Sequence, residues 1–539
     1  MTSRPARDAN LARAFIRNCH RQWNVPKVAD STGKELSGGK LLIGTLVFRR
    51  LLRRAVLAGD ERFVGVLVPP SVGGILANTA LTLDRRVAVN LNYTVSSDVM
   101  NACIRQCGIR HVLTSRRVMD RFHFDLDAEL VYLEDLLPQV TSADKAIAAA
   151  MAYAMPASLL ERWLGVDRIG ADDLLTVLFT SGSTGEPKGV MLSFGNVAAN
   201  VYSIEEMVQM SATDVALGVL PFFHSYGYTA TMWTALVLPP KAAYHFSPLE
   251  ARQVGELARK HRATIVMATP TFLRSYIKRC QTEDFAHADM VVASAEKLPV
   301  EVSDAFEQRF GVRPVEAFGA TELSPLACLN LPPSRYNGPG EGNREGTVGR
   351  PIPGVRVRIT DPETGEVLPQ GEPGMLCVTG DNVMQGYLNR PDLTADVIHN
   401  GWYVTGDIAR VDEEGFVEIT GRLSRFSKIG GEMVPHIRIE EAIGRLLVRE
   451  EHEEQIRAVV TAVPDPKKGE RIVVLHTEID QSPDEICREL ARQGLPNLWI
   501  PAPDSFCQID EVPVLGTGKL DLRALKELAL ERFGLTASA

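Results

Sequence analysis

No apolar run in the 539 residues approaches the ~20 that a membrane-spanning helix needs. The nearest stretch, Ile147 to Met155, is broken by Pro156 and followed by Leu159, Leu160, Trp163 and Leu164. It reads as a helix packed on the protein, with an amphipathic helix lying on a membrane as the other reading. Positive charge is not in excess. The formal net charge is −9, which excludes wholesale nucleic-acid binding. Cysteine is sparse, with eight residues scattered from Cys19 to Cys507. Cys103 and Cys107 share a helix face, but no second pair or nearby His completes a metal site. The cysteines therefore read as reduced thiols in a cytosolic protein. The first twenty residues are polar and basic without an apolar centre, so no secretory signal is expected. Internal repeats and long low-complexity tracts are absent as well.

What is present is a long chain of more than one domain with apolar content for a large core. Short apolar runs at Phe63–Val68, Val112–Thr114, Val131–Leu133, Val215–Leu220, Thr264–Ala268 and Met290–Ala293 alternate with helical stretches, which predicts parallel α/β sheets. After Gly346 the texture changes to short strands between Gly/Pro turns, at Val355–Ile359, Met375–Val378 and Phe416–Ile419, as in a small β-rich subdomain. From about Arg425 the chain reads as a compact α+β unit. Arg49, Arg50, Arg53 and Arg54 fall on one side of a predicted helix. They read as a solvated face or as a docking patch for an acidic carrier protein or anionic headgroups.

The segment Thr180-Ser181-Gly182-Ser183-Thr184-Gly185-Glu186-Pro187-Lys188-Gly189 is a polar loop entered from the apolar run Leu174 to Phe179. Its glycines permit tight turns and close backbone approach, and its hydroxyls, amides and Lys188 suit a polyphosphate. The ordinary P-loop is disfavoured, because Pro187 precedes the lysine and Gly189 follows it.

Further motifs follow in order: Phe318-Gly319-Ala320-Thr321-Glu322, Gly401 to Asp407, Gly421-Arg422, Lys428 to Val434, and Pro513 to Lys519. Together they resemble the adenylate-forming superfamily of acyl-CoA synthetases, luciferases and peptide-synthetase adenylation domains. Leu91 to Thr94, Leu220 to Gly227, Ala295 to Leu298 and Gly430 to Val434 look more narrowly like the acyl-acyl carrier protein synthetase half of the bifunctional enzyme that reacylates lysophosphatidylethanolamine. The His and Asp five positions apart that mark its acyltransferase half are missing, so the synthetase alone is expected.

The resemblance implies an α/β adenylate-forming fold. A large N-terminal domain, residues 1–423, would hold two α/β subdomains and a β-rich one, and residues 424–539 would form a small mobile α+β domain. It also implies roles for particular residues. Thr180, Ser181, Gly182, Ser183, Thr184, Gly185 and Lys188 would hold the β- and γ-phosphates of ATP. Thr321 would contact phosphate, and Glu322, with Thr180, would help to bind Mg²⁺. Phe318 would stack on adenine beside Gly319. Asp407 would accept both ribose hydroxyls, as an acceptor-only carboxylate can, and Arg422 would reach the ribose. Lys519 would bridge the attacking carboxylate and the α-phosphate. His224 would orient the acid or gate its tunnel. Plainer readings stand beside these: a turn aspartate at 407, a surface lysine at 519, a core histidine at 224. Two positions depart from the family pattern, Ser424 at the hinge and Arg438 where a Glu is usual, although Glu440 fits.

The expected activity is ATP- and Mg²⁺-dependent activation of a fatty acid through an acyl-adenylate, then transfer to a phosphopantetheine thiol of acyl carrier protein. The alternatives are a medium- or long-chain fatty acid–CoA ligase and, in another class, a non-catalytic lipid- or carrier-binding partner of a separate acyltransferase. The expected location is the cytoplasm, with peripheral contact at the inner face of the membrane as a further expectation.

Overall fold

The computed structural model describes residues 8–57, 59–180, 186–429, 432–447, 457–465, 468–514 and 520–533. The chain divides into two compact units. One is Met1–Arg358 with Cys377–Thr405 and Val411–Glu418; the other is Ile359–Leu376 with Gly406–Arg410 and Ile419–Ala539.

The first unit is built on two mixed sheets. In one, Val315–Gly319, Met290–Ala293, Ile265–Ala268, Val215–Gly218, Lys241–Tyr244 and Pro26–Asp30 lie side by side in parallel. Antiparallel strands Leu326–Leu329 and Glu35–Ser37 flank them. In the other, Leu174–Thr180, Val87–Asn90, Phe63–Leu67, His111–Thr114 and Glu129–Tyr132 run parallel, and Lys188–Ser193 turns back against Leu174–Thr180. Most of the central strands are only four or five residues long and are buried along nearly their whole length. Parallel strands covered on both faces must read as continuous apolar runs, which is why they stand out in the sequence. Pro26–Asp30 does not, because its second residue is Lys27. That side chain is fully buried, and its ammonium donates to the carbonyls of Leu238, Pro239 and Pro240. Burial pushes it down to about 7.

Four helices of this unit pack as a connected group: α1 (Leu11–Arg21), α2 (Gly38–Ala55), α3 (Ser142–Ala154) and α4 (Ala157–Leu164). α2 packs on α1 and α3, and α1 packs on α4. The arginine patch expected on α2 needs correction. Arg49 is buried, with its Nε 3.1 Å from Asp84, and Arg53 shares that carboxylate. Arg50 and Arg54 both reach Asp144 on α3. The arginines join α2 to its neighbours; Arg49 is buried, while Arg53 and Arg54 keep the exposure of a solvated face.

In the second unit, Phe426–Ile429, Glu432–Pro435, Ala458–Asp465, Gly469–His476 and Phe506–Gln508 make one sheet. Helices His436–Leu447 and Pro483–Arg492 pack with it in one apolar cluster, and Leu522–Arg532 packs in another. Glu440 pairs with Arg425 and accepts the Val460 amide at 2.6 Å. Short strands at Arg356–Thr360, Gly374–Thr379, Trp402–Val411 and Val417–Arg422 form a further small sheet.

The amino ends of three parallel strands share one ion-pair strap. Asp214 precedes Val215–Gly218, Thr264 precedes Ile265–Ala268, and Asp289 precedes Met290–Ala293. Arg335 donates to both carboxylates, and the Thr264 hydroxyl donates to Asp214 at 2.8 Å. Burial alone would push the Asp214 carboxyl up. The Arg335 guanidinium, the Ser211 amide and the Thr264 hydroxyl outweigh that and hold it at about 2. Its contribution to stability is therefore complete above the ordinary carboxylate range and is lost as pH falls toward 2. Breaking a buried pair leaves a charge uncompensated. Asp214→Asn is accordingly expected to destabilise the protein by roughly 3 kcal/mol at pH 7, measured by urea unfolding. An unchanged midpoint would contradict the strap.

Candidate functional site

In open α/β sheets, ligands meet the chain at the carboxyl ends of parallel strands. Here two of those ends carry several of the residues the sequence singled out. Thr180 closes Leu174–Thr180 and pairs in register with Lys188 across the antiparallel turn. Ser181 to Gly185 lie outside the described residues. Phe318 and Gly319 close Val315–Gly319, and Thr321 and Glu322 begin the single helical turn that comes next. A Cβ on Gly319 would stand 2.4 Å from the Pro325 carbonyl oxygen, so the close return of the chain after that turn requires glycine.

A residue that sequence reading missed joins these segments. Tyr387 is buried, with the Lys188 ammonium 5.3 Å from its ring centroid and its hydroxyl donating to Glu322 Oε1 at 2.8 Å. Burial first, then the Glu322 carboxylate, pushes the phenol well above its ordinary range, so it stays a donor. The Met384 amide donates to the Glu322 carbonyl at 2.8 Å and fixes the turn from its other side. Nothing marks Tyr387 in sequence beyond a Gly386-Tyr387 pair, because its role rests on contacts with positions 188 and 322. Ser225, quoted only as part of a motif, is buried and brings its hydroxyl 3.4 Å from that of Thr321.

His224 follows Phe223, their rings 4.6 Å apart, and its amide donates to the Pro221 carbonyl. It is exposed, so the core-histidine reading is corrected. The rings of Tyr93 and Phe223 meet edge to face at 4.8 Å.

The other candidates lie in the second unit. Asp407 is buried on Trp402–Val411 and accepts from Arg422 Nε at 2.8 Å, with Arg422 itself exposed. Its acceptor-only carboxylate is thus held by a neighbouring strand. Lys519 and the Gly430-Gly431 pair lie outside the described residues.

The residues present fit Mg²⁺ as a companion of a polyphosphate. Glu322 commits one oxygen to Tyr387, and among the described residues no hydrogen bond or ion pair occupies the other. The Thr321 and Ser225 hydroxyls stand together at the same turn. Among the described residues no cluster of three or more His, Cys, Asp or Glu could hold an ion alone. Mg²⁺ commonly takes one or two carboxylates and completes its shell with water and substrate phosphates.

A family model described as AMP-binding enzyme matches residues 16–388. The long-chain-fatty-acid–CoA ligase of Bacillus subtilis (strain 168) is 33% identical over 376 residues, 66% of this chain and 62% of that protein. The chain thus aligns with less than two thirds of that relative's length. A putative acyl-CoA synthetase, YngI, of the same organism is 31% identical over 396 residues, 71% of this chain and 68% of its own. Among solved structures, ATP-bound MatB from Rhodopseudomonas palustris aligns with a TM-score of 0.75 at 24% identity, covering 97% of this chain and 99% of that one. O-succinylbenzoate CoA synthetase from Bacillus subtilis, in complex with its acyl-adenylate intermediate, aligns at 0.77 and 21%, covering 95% and 98%. These structural likenesses establish the fold. The family match ends at residue 388, before Asp407, Arg422 and Lys519.

One half-buried acid beside the site reports on its packing. Glu316 lies two residues before Phe318 and accepts the Leu298 amide at 3.2 Å. Burial pushes its carboxyl up to about 7. The folded chain holds this proton more tightly than the unfolded one. The group therefore favours folding below about 4.3, and that contribution is lost as pH rises toward 7. Glu316→Gln is expected to raise the melting temperature relative to wild type at pH 8 and to leave it nearly unchanged at pH 4.5. The same difference at both pH values would contradict this.

Proposed function

The chain belongs to the AMP-binding enzyme family, and from that premise we propose that it couples a fatty acid to a phosphopantetheine thiol through an acyl-adenylate, using ATP. The observation that carries this reading is the Lys188–Tyr387–Glu322 array. It sets a cation and a carboxylate on opposite parts of one buried phenol, where a polyphosphate and its metal need charges of both signs.

A carboxylate is a poor electrophile because its negative charge repels attack. In the proposed reaction its oxygen attacks the α-phosphorus of ATP and pyrophosphate leaves. The thiol then adds to the acyl carbon and AMP leaves. Lys188 would neutralise phosphate charge, and Thr321 with Ser225 would donate hydroxyl hydrogen bonds to it. Mg²⁺ held at Glu322 would supply further positive charge to the departing pyrophosphate. Phe318 would stack on adenine, and Asp407 would accept from the ribose with Arg422 beside it. His224, exposed next to Phe223, would meet the acid. Lys519 would bridge the attacking oxygen and the α-phosphate. The separation of residues 1–423 from a mobile 424–539 belongs to the same proposal.

Two acceptors have support. The relatives named as fatty acid–CoA ligases favour CoA. The motifs around Leu91, Leu220, Ala295 and Gly430 favour acyl carrier protein.

Purified protein with ATP, Mg²⁺ and palmitate is expected to release pyrophosphate and to form a thioester with CoA or holo-acyl carrier protein, read by mass spectrometry. Absence of pyrophosphate would leave the non-catalytic binding partner as the better account. Lys519→Ala should lower acyl-adenylate formation by roughly 100-fold or more while retaining thioester formation from supplied acyl-adenylate. Equal loss in both half-reactions would contradict the assigned role.

A further inference from the structure

Helices α3 and α4 are apolar on the side away from the core as well as the side toward it. On α3 the buried face is Asp144, Ala148, Met151 and Ala152. The opposite face presents Ala143, Ala146, Ile147, Ala150, Tyr153 and Ala154 to solvent. A helix that merely covers a globular core carries polar residues there. On α4, Leu160 and Leu164 are buried, and Leu159 and Trp163, one turn apart, are exposed. The exposures are large: 80% for Tyr153, 54% for Trp163, 49% for Leu159 and 40% for Ile147.

The charges on these helices are sorted by side. Their two acids, Asp144 and Glu161, are both buried. Asp144 meets Arg50 and Arg54 of α2, and Glu161 meets Arg13 and Arg17 of α1. Their exposed charged residues are Lys145 and Arg162, and Arg162 stands between Leu159 and Trp163 in sequence and on the outward face. In a chain of net charge −9, neither helix thus turns an acid toward solvent, and each carries one exposed cation among exposed apolar side chains.

We propose that the outward face of α3 and α4 is a docking surface for an anionic lipid bilayer. Apolar side chains between exposed cations, with a Tyr and a Trp whose rings have one apolar body and one polar tip, match the headgroup boundary. The charge pattern argues against a second copy of the chain. A two-fold interface brings a face against itself, so Lys145 and Arg162 would meet like charge with no exposed acid on either helix to oppose them. The surface lies wholly within the first unit and does not depend on the ligase reading.

The test is co-sedimentation of the full chain with vesicles of phosphatidylglycerol or of phosphatidylcholine, at low and high salt. Binding is expected to be at least tenfold stronger to phosphatidylglycerol and to weaken with salt. Leu159→Glu with Trp163→Glu should reduce it at least tenfold, and so should Lys145→Glu with Arg162→Glu. These side chains are exposed, so circular dichroism and melting should stay those of wild type. A variant that fails this check is replaced by Tyr153→Ser, for which reduced binding is expected. Equal binding to both lipids, no binding to phosphatidylglycerol, or full binding by the folded variants would overturn the proposal. So would self-association of the wild type that the first variant abolishes.

Discussion

Tyr387 is buried between groups of opposite charge, and that contact joins three distant parts of the chain. Lys188 lies at the start of the strand that turns back along Leu174–Thr180. Glu322 lies on the turn after the parallel strand Val315–Gly319. Tyr387 touches both, through the face of its ring and through its hydroxyl. A cation over an aromatic face is worth ~0.5–2 kcal/mol, and a hydrogen bond to a charged acceptor ~1.5–3 kcal/mol. Neither is large against the burial of the sheets. Their importance is positional: they hold a lysine and a carboxylate at fixed places before any ligand arrives, which is the preorganisation that phosphate chemistry needs.

The two ends of the parallel strands carry different duties. At the amino ends, Asp214, Thr264 and Asp289 are tied by Arg335 into a strap that holds adjacent strands together. At the carboxyl ends the chain leaves the same sheet toward His224, Phe318 and Glu322. Short strands make this separation possible, since each sheet end can be specialised without disturbing the apolar middle.

The architecture was largely legible in the sequence where the physics is local. Buried parallel strands such as Met290–Ala293 and Phe63–Leu67 are apolar at nearly every position, so they show themselves. Pro26–Asp30 did not, because a buried lysine satisfied by three carbonyls looks like a surface residue until the fold closes around it. The α2 arginines misled for the complementary reason: periodicity put them on one side of a helix, but Asp84 and Asp144, which receive them, lie on later segments that only the fold brings near. In the site, Thr321 and Glu322 were named from a contiguous motif. Tyr387 was not, since only tertiary contact distinguishes it from any other tyrosine. The exposed face of α3 was half legible: its apolar run was plain, but which side met the core was not.

The central claim, that the acid is activated as an adenylate, is tested most directly by isotope transfer. Palmitate labelled with ¹⁸O in both carboxylate oxygens would be supplied with ATP, Mg²⁺ and a thiol acceptor, and the nucleotide product analysed by mass spectrometry. Attack of the carboxylate on the α-phosphorus followed by cleavage of the acyl carbon–oxygen bond places one ¹⁸O in AMP. Labelled AMP with unlabelled pyrophosphate is the outcome expected. Unlabelled AMP, or ADP with label in inorganic phosphate, would contradict the account.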